Sequence, residues 1–466
     1  MIEEFLASER GLVVAAAGCG KTHLLVEAVK RLPSRQLLLT HTNAGVRELR
    51  RRLEKEGVPP DRFSLKTIDS FCFGYVAAYP KTSGWSVSGP PTAEEWSEVK
   101  VGFVRLIQEP FVQEIVRASY SGLLVDEYQD CSVIQHEIVT ALSSILPTRV
   151  VGDPLQGIFD FGTGRDSMIE WSAVTSYFSN LGELTVPHRW KESNALLGSW
   201  ISDSRERIAT GQASLGASAS VTFKLDADWQ EVLRHLNELA HNNPRESIAV
   251  IFPKQRSSCR KLAGKTRNRF EVMEDADCKS LVEDCRVLDE AIARRCGADV
   301  LKRVTRMAKE YIASLPPDIE DWCERTVQGR PPRPRRADYQ RISAAMSEVL
   351  RAPDIASILA FHASCEECPG ISYKSRESWR TFRKVLSTAS AADGRTLEQV
   401  VKSIRTEERA MGRRPPHRCI STTLLLKGLE FEHVVIAQLG DYGGLPLHLY
   451  VAISRAKKSL TIFKIP

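Results

Sequence analysis

The sequence predicts an α/β protein built on two parallel sheets flanked by helices, each extended by a mainly helical insertion. Three observations predict it. Short, wholly apolar runs at Gly11–Ala17 and Gly122–Val125 have the pattern of strands buried on both faces. They alternate with helical apolar spacing, as at Leu24, Leu25, Ala28, Val29 and Leu32, the order expected of strands joined by crossover helices. The chain has 466 residues, 42% of them hydrophobic, which is too long for one ordinary domain and ample for packed cores.

Composition excludes some classes. With 64 Lys and Arg against 58 Asp and Glu, the net charge of +6 permits nucleic-acid binding without arguing for it. No apolar run approaches the roughly 18 residues that would span a bilayer. The acidic start at Ile2-Glu3-Glu4 is unlike a secretory signal. The eleven cysteines are scattered and odd in number, as expected of reduced thiols in a cytoplasmic protein with no membrane partner.

The first strand feeds into Ala15-Ala16-Ala17-Gly18-Cys19-Gly20-Lys21-Thr22-His23 and then into a helix. Strand, glycine loop, Lys-Thr and helix in that order are what a phosphate-binding loop requires. Its glycines let backbone N–H groups curl around phosphate; Lys21 would reach the β and γ phosphates, and the Thr22 hydroxyl would hold Mg²⁺. Ala15 stands where the usual pattern has its first glycine. A nucleoside triphosphate ligand is therefore expected. A second strand, Gln36–Thr40, leads to His41-Thr42-Asn43 and a helix carrying Arg47, Arg50, Arg51 and Arg52, which alone reads as a solvated face. A third ends at Thr67. The apolar strand Gly122–Val125 ends in Asp126-Glu127-Tyr128-Gln129-Asp130, where Asp126 would hold Mg²⁺ and Glu127 would orient and deprotonate water. Arg149–Asp153 then runs into Pro154-Leu155-Gln156-Gly157-Ile158-Phe159-Asp160-Phe161. Further apolar runs at Ser247–Phe252, Cys419–Thr423, His433–Gln438 and Ser459–Ile465 fit a second parallel sheet.

These motifs, with Val186-Pro187-His188-Arg189, Lys427-Gly428-Leu429-Glu430-Phe431 and Tyr450-Val451-Ala452-Ile453-Ser454-Arg455-Ala456, resemble the UvrD/Rep/PcrA-type superfamily 1 DNA helicases. The resemblance runs from residue 15 to 457 and implies two RecA-like P-loop domains. One would take residues 1–75 and 119–186, with a short insertion at 76–118. The other would take 187–267 and 412–466, with a helical insertion at 268–411. It implies ATP and Mg²⁺ as cofactors, held by Ala15 to His23, His188, Gly428 and Glu430, with Glu430 on the ribose. Lys21, Asp126, Glu127, Gln156, Arg189 and Arg455 would be catalytic, the two arginines as fingers on the transferred phosphoryl group. Thr40, His41, Asn43, Thr67, Phe159, Phe161 and Thr422 would contact single-stranded or end-bearing DNA, the phenylalanines by stacking. The activity implied is ATP-driven 3′→5′ translocation or unwinding.

The sequence departs from the family where coupling and base recognition lie. The N-terminal adenine-reading Gln is missing; His188 replaces a Tyr, Asp69 and Leu424 each replace a His, and His41 replaces an aromatic. Its short N-terminus and insertions resemble the helicase-like subunit of the Gabija anti-phage system, which implies a partner nuclease of the OLD family. A DNA- or nucleotide-sensing ATPase that regulates a nuclease without processive unwinding, and a repair or recombination helicase, are the alternatives. Two features remain open in sequence. The loop Arg330-Pro331-Pro332-Arg333-Pro334-Arg335-Arg336 suits DNA phosphates, an acidic partner or a solvated linker. Cys365 and Cys368, with His362 upstream, have metal-ligand spacing but no second pair to complete a zinc site, so chance thiols are the better reading.

Overall fold

The computed structural model describes residues 1–86, 91, 95–159, 162–211, 215–216, 218–273, 279–391, 394–411 and 416–465. Among the described residues six strands form the first sheet: β1 (Arg10–Ala15), β2 (Gln36–Thr40), β3 (Phe63–Thr67), β4 (Gly122–Val125), β5 (Thr148–Gly152) and β6 (Ser179–Leu184), in the order β3-β2-β4-β5-β1-β6. Every neighbouring pair is parallel, with Leu12 opposite Val150 and Leu38 opposite both Leu65 and Leu124.

Alternation along these strands builds two cores. Leu12, Leu37, Leu39, Leu123, Val125 and Val150 pack on one face with Ile68, Phe71, Ile134 and Ile138. Val13, Leu38, Leu124 and Val151 pack on the other with Leu25, Val29, Leu49 and Leu53. Continuous apolar runs are needed because helices cover both faces, each buried aliphatic side chain contributing about 1.5–3 kcal/mol. Arg149, buried on β5, donates to the carbonyls of Phe5 (2.6 Å) and Leu6 (2.5 Å), satisfying the end of the first helix, Ile2–Ala7.

The second sheet comprises β7 (Val221–Leu225), β8 (Ile248–Phe252), β9 (Glu271–Val272), β10 (Arg418–Thr422), β11 (Phe431–Ile436) and β12 (Ala456–Lys464), in the order β7-β12-β11-β8-β10-β9. Its centre is parallel: β8 pairs with β10 and β11, and β10 with β9. Two helix-flanked parallel sheets make the fold a pair of RecA-like α/β domains. By compactness the chain divides into one unit of Met1–Thr222, Lys427–Glu430 and Tyr442–Leu460, and a second of Phe223–Leu426, Phe431–Asp441 and Thr461–Pro466.

Among the described residues between β9 and β10, seven helices run from Lys279 to Met411. They hold a core of their own, with Trp322, Met346, Phe361, Trp379 and Phe382 buried among aliphatics. Within it His362 is 1% exposed and lies flat on Trp379, ring centroids 4.1 Å apart and planes at 9°. Its Nε2 is 3.0 Å from the Trp379 carbonyl, which suits the neutral Nε2–H tautomer. Burial holds the imidazole down to about 4, from an ordinary value of 6.5. The unfolded chain therefore binds the extra proton first. This stability is complete above pH 6.5 and is lost as pH falls from 6.5 towards 4, by about 3 kcal/mol in all. Urea midpoints measured from pH 7.5 to 4.5 should fall less steeply for His362→Phe than for wild type. Parallel slopes would assign the acid loss elsewhere. Cys365 and Cys368 are free thiols, and among the described residues no cluster of three or more His, Cys, Asp or Glu is placed to hold a metal. Among the same residues no helix is long and apolar enough to cross a membrane.

Candidate nucleotide site

Strand order assembles the site. Because β5 lies between β4 and β1, the C-terminal ends of these strands put the phosphate loop, Asp153–Gln156 and Asp126–Glu127 side by side. The loop Ala16–Gly20 follows β1 and opens the helix Lys21–Arg31, with Gly18 at φ +70° and Gly20 at φ +98°. These are left-handed values that glycine alone adopts freely. A Cβ on Gly18 would also lie 2.8 Å from the Trp190 ring, so side-chain-free backbone is required where the loop packs. Thr22 follows Lys21 in the first turn, and His23 is exposed.

Lys21 is buried, its Nζ 3.3 Å from the Ala15 carbonyl and 3.3 Å from Glu127 Oε2. Asp126 is buried at the tip of β4, and its Oδ1 accepts from the Glu127 N–H at 2.9 Å. Burial and the Glu127 charge push the Asp126 carboxyl up. Glu127 goes the other way: burial would raise it, but Lys21 and Lys427 outweigh that and hold it ionised. Two adjacent carboxylates, one destabilised by burial beside the other, fit a divalent cation and a phosphate chain better than they fit an apolar ligand. Glu127 also sits at φ +53°, a left-handed conformation that costs a non-glycine residue roughly 1–2 kcal/mol. Gln129 helps hold it there, donating from Nε2 to Glu127 Oε2 at 2.7 Å.

The late motifs converge on the same place within the first unit. Arg455 is 3% exposed; it donates to Gln156 Oε1 (3.0 Å), the Val451 carbonyl (2.9 Å) and the Leu429 carbonyl (3.3 Å). Burial lowers its guanidinium to about 10, which leaves it charged at neutral pH. Arg189 donates to the Ser454 carbonyl at 2.6 Å and pairs with Glu430 at 2.7 Å, while its N–H donates to the Gly18 carbonyl. His188 is exposed and would lie 3.8 Å from a Cβ on Gly20. Gly428 adopts φ +79°.

The residues expected at DNA are arranged more loosely. Thr40 and Thr67 are register partners at the ends of β2 and β3, and Thr67 caps the next helix through Ser70. His41 lies 3.6 Å from Cys131 Sγ; burial, then Lys427, holds it down to about 3, so it is neutral. Asn43 is exposed at the start of the arginine helix. Phe159 lies under Lys427, whose Nζ is 4.5 Å from the ring centroid. Lys427 also pairs with buried Asp130 and donates to the Gln156 carbonyl at 2.5 Å. Phe161 lies outside the described residues, and Thr422, at the end of β10, belongs to the second unit.

Sequence reading missed Gln129, Asp153, Tyr450 and the Asp130–Lys427 pair. The only signal available for them was their position inside motifs already singled out for other residues.

Comparison with known proteins agrees with this geometry at the N-terminal end. Residues 4–95 and 92–172 match the model of the UvrD/REP helicase N-terminal domain. Among solved structures the chain is similar to Arterivirus nonstructural protein 10, a helicase, in complex with DNA. That match has 9% identity and a TM-score of 0.35 over 99% of this chain and 62% of that one. It is similar to the crystal structure of the same helicase alone at 10% identity and a TM-score of 0.36, over 99% of this chain and 61% of that one. The chain thus spans about three-fifths of the length of those helicase chains. No curated protein matches the chain in sequence. The part of the chain that carries the phosphate loop, Asp126 and Glu127 is thus similar in sequence to a UvrD/REP helicase N-terminal domain.

Proposed function

We propose that the chain is an ATP-driven translocase on single-stranded DNA, moving 3′→5′. One observation carries this reading. Gln156 lies between Arg455, whose guanidinium it accepts from, and Phe159, three residues on, within one loop at the tip of β5. Nucleotide-side and DNA-side groups thereby share a single short segment. Lys21 would bind the phosphates, and Thr22 and Asp126 would hold Mg²⁺, which neutralises charge on the phosphate oxygens. Glu127 would orient the attacking water and take its proton, and the two arginines would stabilise charge developing on the transferred group. Lys427 would carry a change at Gln156 to the Phe159 ring.

The match to a UvrD/REP helicase N-terminal domain supports the DNA reading. The Gabija-type role, with a partner nuclease, rests on the reduced insertions. The test is ATP hydrolysis with and without single-stranded DNA. Stimulation of about tenfold or more is expected. Hydrolysis without stimulation would overturn the translocase reading in favour of a partner-controlled ATPase, and no hydrolysis in either condition would overturn both.

A further inference from the structure

Tyr450 lies in the helix Pro446–Ile453, just ahead of Arg455, and is 1% exposed. Its hydroxyl touches two separate elements. It accepts from the Ala17 N–H of the phosphate loop at 3.1 Å and donates to Asp153 Oδ2 at 3.3 Å. Asp153 is fully buried. Its Oδ2 also accepts from Gln156 Nε2 at 2.9 Å, and its Oδ1 accepts from the Leu155 N–H (3.3 Å) and Arg205 (3.2 Å). The Asp153 N–H donates to Gln129 Oε1 at 2.9 Å, and that amide reaches Glu127 from its other end. One buried hydrogen-bonded chain therefore runs from Ala17 through Tyr450, Asp153 and Gln129 to Glu127, with a branch through Gln156 to Arg455.

The entry of the phosphate loop is pinned twice. The Ala16 N–H donates to the Leu184 carbonyl of β6 at 3.3 Å, and the Ala17 N–H donates to the phenol. Beyond these two amides the backbone turns through Gly18 and Gly20 into the helix. A phenylalanine would fill the same space but leave a buried amide without its acceptor and a buried carboxylate without one of its donors.

We propose that Tyr450 is a positioning residue that sets the phosphate loop in its binding shape before nucleotide arrives, by tying the Ala17 amide to Asp153. The inference rests on the ATPase reading above. Tyr450 approaches no atom of Lys21, Glu127 or Arg455 by hydrogen bond, so its hydroxyl acts on the population of binding-competent loop rather than on the reacting groups.

The test is Tyr450→Phe. The KM for ATP, and the equilibrium Kd for a non-hydrolysable ATP analogue, should each rise about five- to tenfold, the size of one lost neutral hydrogen bond, with kcat within about twofold. A purely structural role would instead lower the melting temperature and the active fraction, reducing kcat with KM unchanged, and would overturn the proposal. Unchanged KM and Kd would overturn it too. A second measurement needs no variant. In the nucleotide-free wild type, hydrogen exchange should show the Ala17 amide more protected than that of Gly18, and a fast-exchanging Ala17 amide would sink the idea. A wild type that binds the analogue but never hydrolyses ATP would overturn the ATPase reading, while the Kd comparison still judges Tyr450.

Discussion

Arg455→Ala should lower the kcat of ATP hydrolysis by about 10³-fold or more, with a much smaller change in nucleotide affinity. The guanidinium spans four acceptors at once, Gln156 Oε1, Ser454 Oγ and the carbonyls of Val451 and Leu429, so its fork is fixed before any charge develops. A group held this way loses little further freedom in the transition state, which is why it acts on kcat. Arg455→Lys should recover little, since an ammonium cannot meet the planar set of partners. Steady-state kinetics beside a melting curve decides the matter. A folded Arg455→Ala protein within tenfold of wild type would remove Arg455 from the chemistry.

Glu127→Gln should reduce hydrolysis by about 10²–10⁴-fold while leaving nucleotide bound as well as before, or more tightly. Lys21 now faces Glu127 at 3.3 Å, so removing that charge frees the ammonium for phosphate. The left-handed backbone at Glu127 and the Gln129 contact fix the carboxylate's direction, and neither needs a negative charge to persist. Single-turnover hydrolysis and binding of a fluorescent nucleotide, measured on one preparation, separate the two effects. Weaker binding with hydrolysis intact would reverse the assigned roles of Lys21 and Glu127.

Much of this was legible in the sequence, for a physical reason. A strand buried on both faces must be apolar throughout, so Leu37 to Leu39 and Leu123 to Val125 announce themselves, as do the glycines required at φ +70° and +98°. The edge strand β6, Ser-Asn-Leu-Gly-Glu-Leu, is largely exposed and carries no apolar run, so nothing marks it. The site's charged end residues were visible because their chemistry is specific. Gln129 and Tyr450 were not, since a buried amide and a buried phenol read as ordinary core until the fold brings distant acceptors to them. The Lys427–Asp130 pair joins residues 297 apart in sequence, a separation no local pattern reports.

Cys19 sits within the phosphate loop, where proximity to a helix N-terminus and to Lys21, Arg189 and Arg205 would ordinarily favour a thiolate. Burial wins instead, pushing the thiol up to about 11, and its Sγ contacts the Ala17 carbonyl at 3.6 Å. At neutral pH the sulfur is therefore held as the protonated thiol. Peroxides, alkylating agents and disulfide partners act on the anion, so the loop is chemically quiet despite holding a sulfur at its centre.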